Sequence, residues 1–212
     1  SLFAAGMLTL VLAGNSALAF VGWELAGVSS YLLIGYAWER ASASENAVRA
    51  FVTNRIGDAG FIVGIAATFH WVGTAEWPGF AAGVGALDTL AAGLMAFGFV
   101  VAALAKSAQV PFAPWIARAL EGPTPSSAIF YGALMVHAGV FLLIRIEPLL
   151  IRAPALMALL VLLGLASALY GWLSGLTQTD VKSALTFATT TQVGLMFLWC
   201  GLGWFDLAAW HL

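Results

Sequence analysis

Two residues in this sequence have types and positions that invite chemistry: Glu24, in Val21-Gly22-Trp23-Glu24, and Lys106, in Ala105-Lys106-Ser107. Each sits within or at the end of a long apolar run. An ionisable group in such a run costs about 2.5 to 3.5 kcal/mol on insertion scales, faces a bundle interior and usually has a task. Their opposite signs invite pairing. One reading is a static buried salt bridge that orders the bundle, although buried pairs are weak evidence for stability. The other is a relay of protons or cations in which the lysine changes protonation or partner, because an amine shifts its pKa readily when desolvated.

Other candidates accompany them. Arg55 and Asp58 are three residues apart, share a helical face and can neutralise each other, either as glue or to tune Glu24. Asp180 and Lys182 open a later helix near an expected membrane surface, as solvated topology charges or as the mouth of a pathway. His137 and His211 fall inside helices, and His70 ends one; histidine suits proton transfer near neutral pH, but a lone helical histidine is also a common packing residue. Thr186, Thr189, Thr190, Thr191 and Gln192 offer polar groups that bond across helices or hold water.

The chain that must position these groups has 212 residues, of which 62% are hydrophobic and 8% charged. That composition excludes an ordinary soluble domain. Charge-free runs at 1–23, 25–38, 122–144, 153–179 and 183–205 include several long enough to cross a hydrocarbon core of roughly 30 Å. The expected fold class is therefore all-α, a polytopic membrane helix bundle. The single cysteine, Cys200, excludes an internal disulfide or a thiolate cluster made by this chain alone. No dinucleotide, phosphate-loop or metal motif occurs, so no cofactor, metal or redox centre is expected. No basic patch suggests nucleic acid.

In chain order, the sequence predicts helices over about 1–13, 16–36, 44–71, 87–105, 124–147, 155–176 and 180–203, with an eighth starting at Asp206. The longest non-helical connection is expected at 73–86, flanked by Trp71 and Trp77. After Lys106, Pro111 and Pro114 break the fourth helix before a short amphipathic piece ends at Glu121. Proline removes a main-chain donor, and freed polar groups at membrane depth need protein or water around them. The break thus argues for a wet interior. Threading eight crossings puts Arg40, Arg118 and Lys182 on one side, joined by Arg49, with Arg145 and Arg152 opposite. Excess positive charge makes the first side cytoplasmic. A start without Met and a stop inside a helix read as a fragment of a longer protein.

The segments FVGWELAGVSSYLLIGYAW, FVTNRIGDAGFIVGI, AKSAQVPFAPWIARALEGPTPSSA, AGVFLLIR and LTQTDVKSALTFATTTQVGLMFL closely resemble the proton-conducting, antiporter-like membrane subunits of respiratory complex I. The likeness is closest to the L-type (chain 5) subunit and extends to the large subunit of Mrp-type sodium/proton antiporters. It covers nearly the whole chain in the same order. The resemblance implies a complete protein of fourteen or more helices built as two inverted five-helix repeats, each with a discontinuous helix. Residues 1–212 would then be a fragment of a proton-conducting transporter domain, with the first repeat at about 1–176 and the second opening at about 177–212.

By the same resemblance, Glu24 matches the family's glutamate on the fifth helix, Arg55 and Asp58 the charged pair on the sixth, and Lys106 the lysine before the break in the seventh. Asp180 and Lys182 match its Q-T-D-[IV]-K motif, and His211 a histidine on the central polar axis. One position departs. Where the L-type subunits carry a histidine in A-L-I-H after G-P-T-P, this chain has Ala128-Ile129-Phe130-Tyr131, so Tyr131 replaces it. His137, six residues on, is about 240° further round a helix and is no simple substitute. Either Tyr131 continues the relay with water or this branch conducts differently.

The implied function is translocation of protons, or exchange of protons for sodium, by a subunit of an NADH:quinone oxidoreductase-type complex that has no redox centre of its own. The implied partners are other membrane subunits and the lipid bilayer, in the multi-pass inner membrane of a bacterial cell. A rival is the membrane ion-coupling subunit of an inorganic-carbon uptake complex, which uses the same fold. A purely structural scaffold is the third reading.

Overall fold

A computed structural model describes residues 1–129 and 134–212, and all regular elements among these are helical. Tyr131, singled out above, lies outside the described residues. The helices are α1 (Leu2–Leu12), α2 (Ser16–Ile34), α3 (Ala41–Val72), α4 (Trp77–Gly83), α5 (Thr89–Lys106), α6 (Pro114–Arg118), α7 (Thr124–Ser127), α8 (Ala138–Arg145), α9 (Glu147–Leu150), α10 (Pro154–Gly175), α11 (Val181–Gly201) and α12 (Phe205–His211). The segments Ser16–Ala37, Thr89–Lys106 and Pro154–Gly175 are long and apolar enough to cross a membrane.

Two expectations from the sequence are corrected. The connection at 73–86 is not wholly irregular, because Trp77–Gly83 forms α4 with Pro78 in its first turn, where a missing N–H costs nothing. It also grips the α1–α2 turn: Trp77 Nε1 donates to Ala13 O at 2.9 Å, and Ser16 N donates to Ala75 O at 2.9 Å. Among the described residues, the helix expected over 124–147 is interrupted ahead of α8 by a 3-10 turn at Met135–His137, with α7 at its start.

Small residues set the packing. In α3 and α5, which run antiparallel, a Cβ added to Gly98 would sit 2.5 Å from Gly60 O, and one added to Gly57 would sit 2.5 Å from the Ala105 side chain. Such close approach suits helices in lipid, where association relies on van der Waals contact and not on expulsion of water. The interior holds Trp23, Phe61 and Phe99, with Phe61 meeting both other rings edge to face at 5.1 and 5.4 Å. Phe61 is thus core, whereas Phe69 points outward. Outside, Leu8, Leu32, Val63, Leu94, Leu162 and Leu173 are exposed, an apolar exterior fitting a bilayer or neighbouring membrane subunits.

The chain break after α5 is satisfied mainly by protein. Trp115 Nε1 donates to Ala105 O at 2.9 Å, Val110 N to Ser167 Oγ at 2.9 Å, and Ser107 Oγ to Val136 O at 2.6 Å. The Val110-Pro111 peptide is cis. The freed main-chain groups therefore do not by themselves require a wet interior, as the prolines had suggested. A better sign of unmet polarity is the set of buried atoms without a hydrogen-bond partner: Glu24 Oε1, Asn54 Oδ1, Gln109 Oε1 and His137 Nδ1.

The basic residues separate as expected. Arg40 pairs with Glu121 at 3.3 Å, and Lys182 donates to Leu120 O and Gly122 O at 2.6 and 2.8 Å, so Arg40, Arg118 and Lys182 share one end. Arg152 donates to Leu87 O at the opposite end of α5.

Two substitutions test this packing. Gly98→Leu should wedge α3 from α5 and lower stability by about 1 to 3 kcal/mol, read as a fall in the detergent-unfolding midpoint. Ser167→Ala should orphan the Val110 N–H at a cost of about 1 to 3 kcal/mol, with the loss visible as faster hydrogen exchange at the break.

Candidate functional site

Helices α2, α3 and α5 bring Glu24, Arg55, Asp58 and Lys106 into one chain of alternating charge. Arg55 NH2 lies 2.5 Å from Glu24 Oε2, and Arg55 Nε lies 3.6 Å from Asp58 Oδ2. Asp58 Oδ1 in turn lies 3.8 Å from Lys106 Nζ. The expected direct pairing of Glu24 with Lys106 is corrected: Arg55 and Asp58 stand between them. The chain also runs inward. The side chain of Arg55 is 41% exposed and that of Glu24 22%, whereas Asp58 is 6% and Lys106 2% exposed.

Trp23, the neighbour of Glu24 on α2, organises the inner end. Its indole Nε1 donates to Asp58 Oδ1 at 2.9 Å, its main-chain carbonyl accepts from Lys106 Nζ at 3.3 Å, and its ring centroid is 5.0 Å from that nitrogen. The available signal was its place beside Glu24, since a buried indole N–H almost always finds an acceptor. Gly27 makes room, because a Cβ there would lie 3.1 Å from Lys106 Nζ. Arg55 is steadied by Phe51, 4.5 Å from ring centroid to guanidinium carbon.

A second polar region lies beyond the break. A cavity of about 660 Å³ is lined by Thr124, Ser127, His137, Asp180, Lys182 and Gln192, among others. Gln192 Oε1 meets His211 Nε2 at 2.9 Å, which joins α12 to this wall of α11. The bond from Ser107 to Val136 joins the residue after Lys106 to the residue before His137, so the two polar regions meet at adjacent backbone segments.

Structural duties are visible among these residues. Asp180 caps α11 by accepting from Ser183 N at 2.9 Å, and Lys182 satisfies the carbonyls that end the segment after α6. The hydroxyls of Thr186, Thr189, Thr190 and Thr191 each bond to the carbonyl four residues back in α11. The expectation that they bond across helices is therefore corrected. Their donors are spent locally, because an i−4 carbonyl is always within reach in a helix. His70 stacks edge to face on Trp71 at 5.3 Å and is exposed, apart from both regions. Among the described residues no cluster of His, Cys, Asp or Glu has a metal-binding arrangement.

Known proteins resemble this chain over nearly all of its length. Residues 13–212 match the family model described as NADH:quinone oxidoreductase/Mrp antiporter, TM. The NADH-quinone oxidoreductase subunit L of Mycobacterium tuberculosis is 44% identical over 203 residues, covering 96% of this chain and 32% of that protein. The NADH-ubiquinone oxidoreductase chain 5 of Rhizopus stolonifer is 38% identical over 212 residues, covering 100% of this chain and 32% of that protein. The chain thus spans about a third of the length of these relatives. Among solved structures, a chain of the Mrp complex from Dietzia sp. DQ12-45-1b superposes with a TM-score of 0.90 at 32% identity, over 95% of this chain and 22% of that one. A chain of the archaeal membrane-bound sulfane sulfur reductase shares the fold, with a TM-score of 0.83 at 23% identity, over 99% of this chain and 44% of that one. With a match over all but the first twelve residues, this protein belongs to the NADH:quinone oxidoreductase/Mrp antiporter family of multi-pass membrane proteins.

Proposed function

We propose that this chain forms the proton-translocating part of an antiporter-like subunit in an NADH:quinone oxidoreductase-type complex. The observation that carries the reading is the run Glu24–Arg55–Asp58–Lys106, four charges of alternating sign that begin half-buried and end on a nearly inaccessible amine. A static pair would need two groups. Four in line allow partners to be exchanged.

Protonation of Glu24 removes the charge that holds Arg55 at 2.5 Å. The guanidinium then closes its 3.6 Å gap to Asp58. Asp58, now shared more fully with Arg55, loosens its hold on Lys106, and the lysine passes its proton toward the cavity lined by His137, Lys182 and Gln192, the last of which is bonded to His211. Deprotonation of Glu24 returns Arg55 and resets the chain. Glu24 thus sets the charge state of Lys106 through two intermediaries. Tyr131 belongs to the proposed pathway by resemblance alone.

Protons are the favoured ion, since every member of the chain either titrates or carries fixed charge; exchange for sodium is the variant suggested by the Mrp relative. Residues 1–176 would be the first five-helix repeat and 177–212 the opening of its inverted partner. The proposed setting is the inner membrane of a bacterial cell, beside other membrane subunits of the complex, with the end carrying Arg40, Arg118 and Lys182 facing the cytoplasm.

Three variants of the assembled complex test this in proteoliposomes by dye-reported proton uptake, with assembly followed on native gels. Lys106→Ala should abolish pumping while assembly survives; full pumping would reject the relay. Lys106→Arg keeps a cation beside Asp58 but cannot release its proton, so assembly should match wild type while pumping falls by about 10²-fold or more. Glu24→Gln fixes the neutral state and should slow pumping comparably. Normal transport with a reduced amount of complex would instead assign Glu24 to scaffolding.

A further inference from the structure

A groove on the outer flank of α3 takes no part in the charged chain. Val48, Arg49, Val52 and Thr53 form one wall, and Pro114, Trp115 and Arg118 the other, around a volume of about 480 Å³. The helix break creates it, because α6 begins at Pro114 and lies against α3, leaving a cleft between the two. We infer that this groove binds a glycerophospholipid, with the phosphate between Arg49 and Arg118 and an acyl chain running down α3.

Depth is the first argument. Trp23 lies near the middle of α2, and its bond to Asp58 fixes the level of Asp58 at the centre of that span. Nine residues of α3 separate Asp58 from Arg49, about 14 Å along the axis, against roughly 15 Å for half a hydrocarbon core. An independent landmark agrees: Gly35, at the end of α2, faces Ala47 with 3.5 Å between an added Cβ and the alanine side chain. Arg49 therefore stands at the edge of the hydrocarbon core, from which its long side chain, like that of Arg118 across the groove, reaches the phosphate level.

Charge is the second. Arg118 makes no ion pair among the described residues, and Arg49 is engaged only by the exposed Glu45 at 2.5 Å, so the groove keeps a net positive charge suited to a phosphodiester. The third is the wall below. Val52, Ile56 and Val63 follow at helical spacing and are 55%, 54% and 56% exposed, a continuous apolar track leading from the guanidiniums toward the bilayer centre. A soluble anion needs no such track.

The test uses the whole complex isolated from its native membrane, reconstituted in nanodiscs of phosphatidylcholine containing phosphatidylglycerol, then delipidated with mild detergent. Native mass spectrometry counts the phosphatidylglycerol retained. Arg49→Gln combined with Arg118→Gln should lower retention about fivefold per arginine. Val52→Trp, which keeps both guanidiniums and fills the track, should lower it to a similar degree. Unchanged retention in the double variant overturns the proposal. Loss with the arginines but not with Val52→Trp would assign the groove to a free anion and also overturn it. So would a disulfide between Val52→Cys and a cysteine placed on a neighbouring subunit, which would give the groove to protein. Pumping is read separately, so this result stands apart from that of the proton pathway.

Discussion

The carboxylate of Asp58 is the interaction on which the rest depends. It lies almost buried and takes three donors or cations at once: the indole of Trp23 on α2, Arg55 on its own helix and Lys106 on α5. Without it, the ammonium of Lys106 would be left with a carbonyl and a ring face inside the bundle, and an uncompensated buried charge costs several kcal/mol. Three helices meet there, and the small residues around it follow from that meeting. Gly27 leaves space for the ammonium, while Gly57 and Gly60 let α5 approach α3 closely.

Much of this was legible in the sequence, for identifiable reasons. Charges in apolar runs stand out because lipid makes them costly, so Glu24 and Lys106 were found without any structure. The i,i+3 spacing of Arg55 and Asp58 placed both on one face. What the sequence hid was which partner each charge takes, because partner choice is settled by helix rotation and crossing, which no single helix encodes. Trp23 was missed on the same account: its role needs a main-chain carbonyl on one side and an indole N–H on the other. α4 was hidden by Trp77-Pro78-Gly79, which reads as a turn but places its proline at the start of a helix, where it does no harm.

The break after Lys106 shows how a discontinuous helix can meet freed backbone groups with protein side chains. Ser107, Ser167 and Trp115 supply the missing partners, from the broken segment itself and from α10. Unpartnered buried polar atoms nonetheless remain, at Gln109 Oε1 within the broken segment, at Asn54 Oδ1, at Glu24 Oε1 on the outer end of the charged chain and at His137 Nδ1 on the cavity. Polar groups of that kind in a low-dielectric interior favour a bound proton or water, because an unpaired buried polar atom is costly.

Electroneutrality then gives the four-member chain its direction. With both carboxylates ionised and both cations protonated, the charges sum to zero. A proton arriving at Glu24 raises the sum to one positive charge in a medium where like charges repel far more strongly than in water. The excess is relieved by the one cation that can give up a proton, since a guanidinium remains charged throughout. On the proposed reading, Arg55 carries the disturbance and Lys106 discharges it. On that reading, replacing Arg55 by a second lysine would put another titratable amine in the path and let the excess leave at the more exposed end, so an arginine at position 55 would favour inward release.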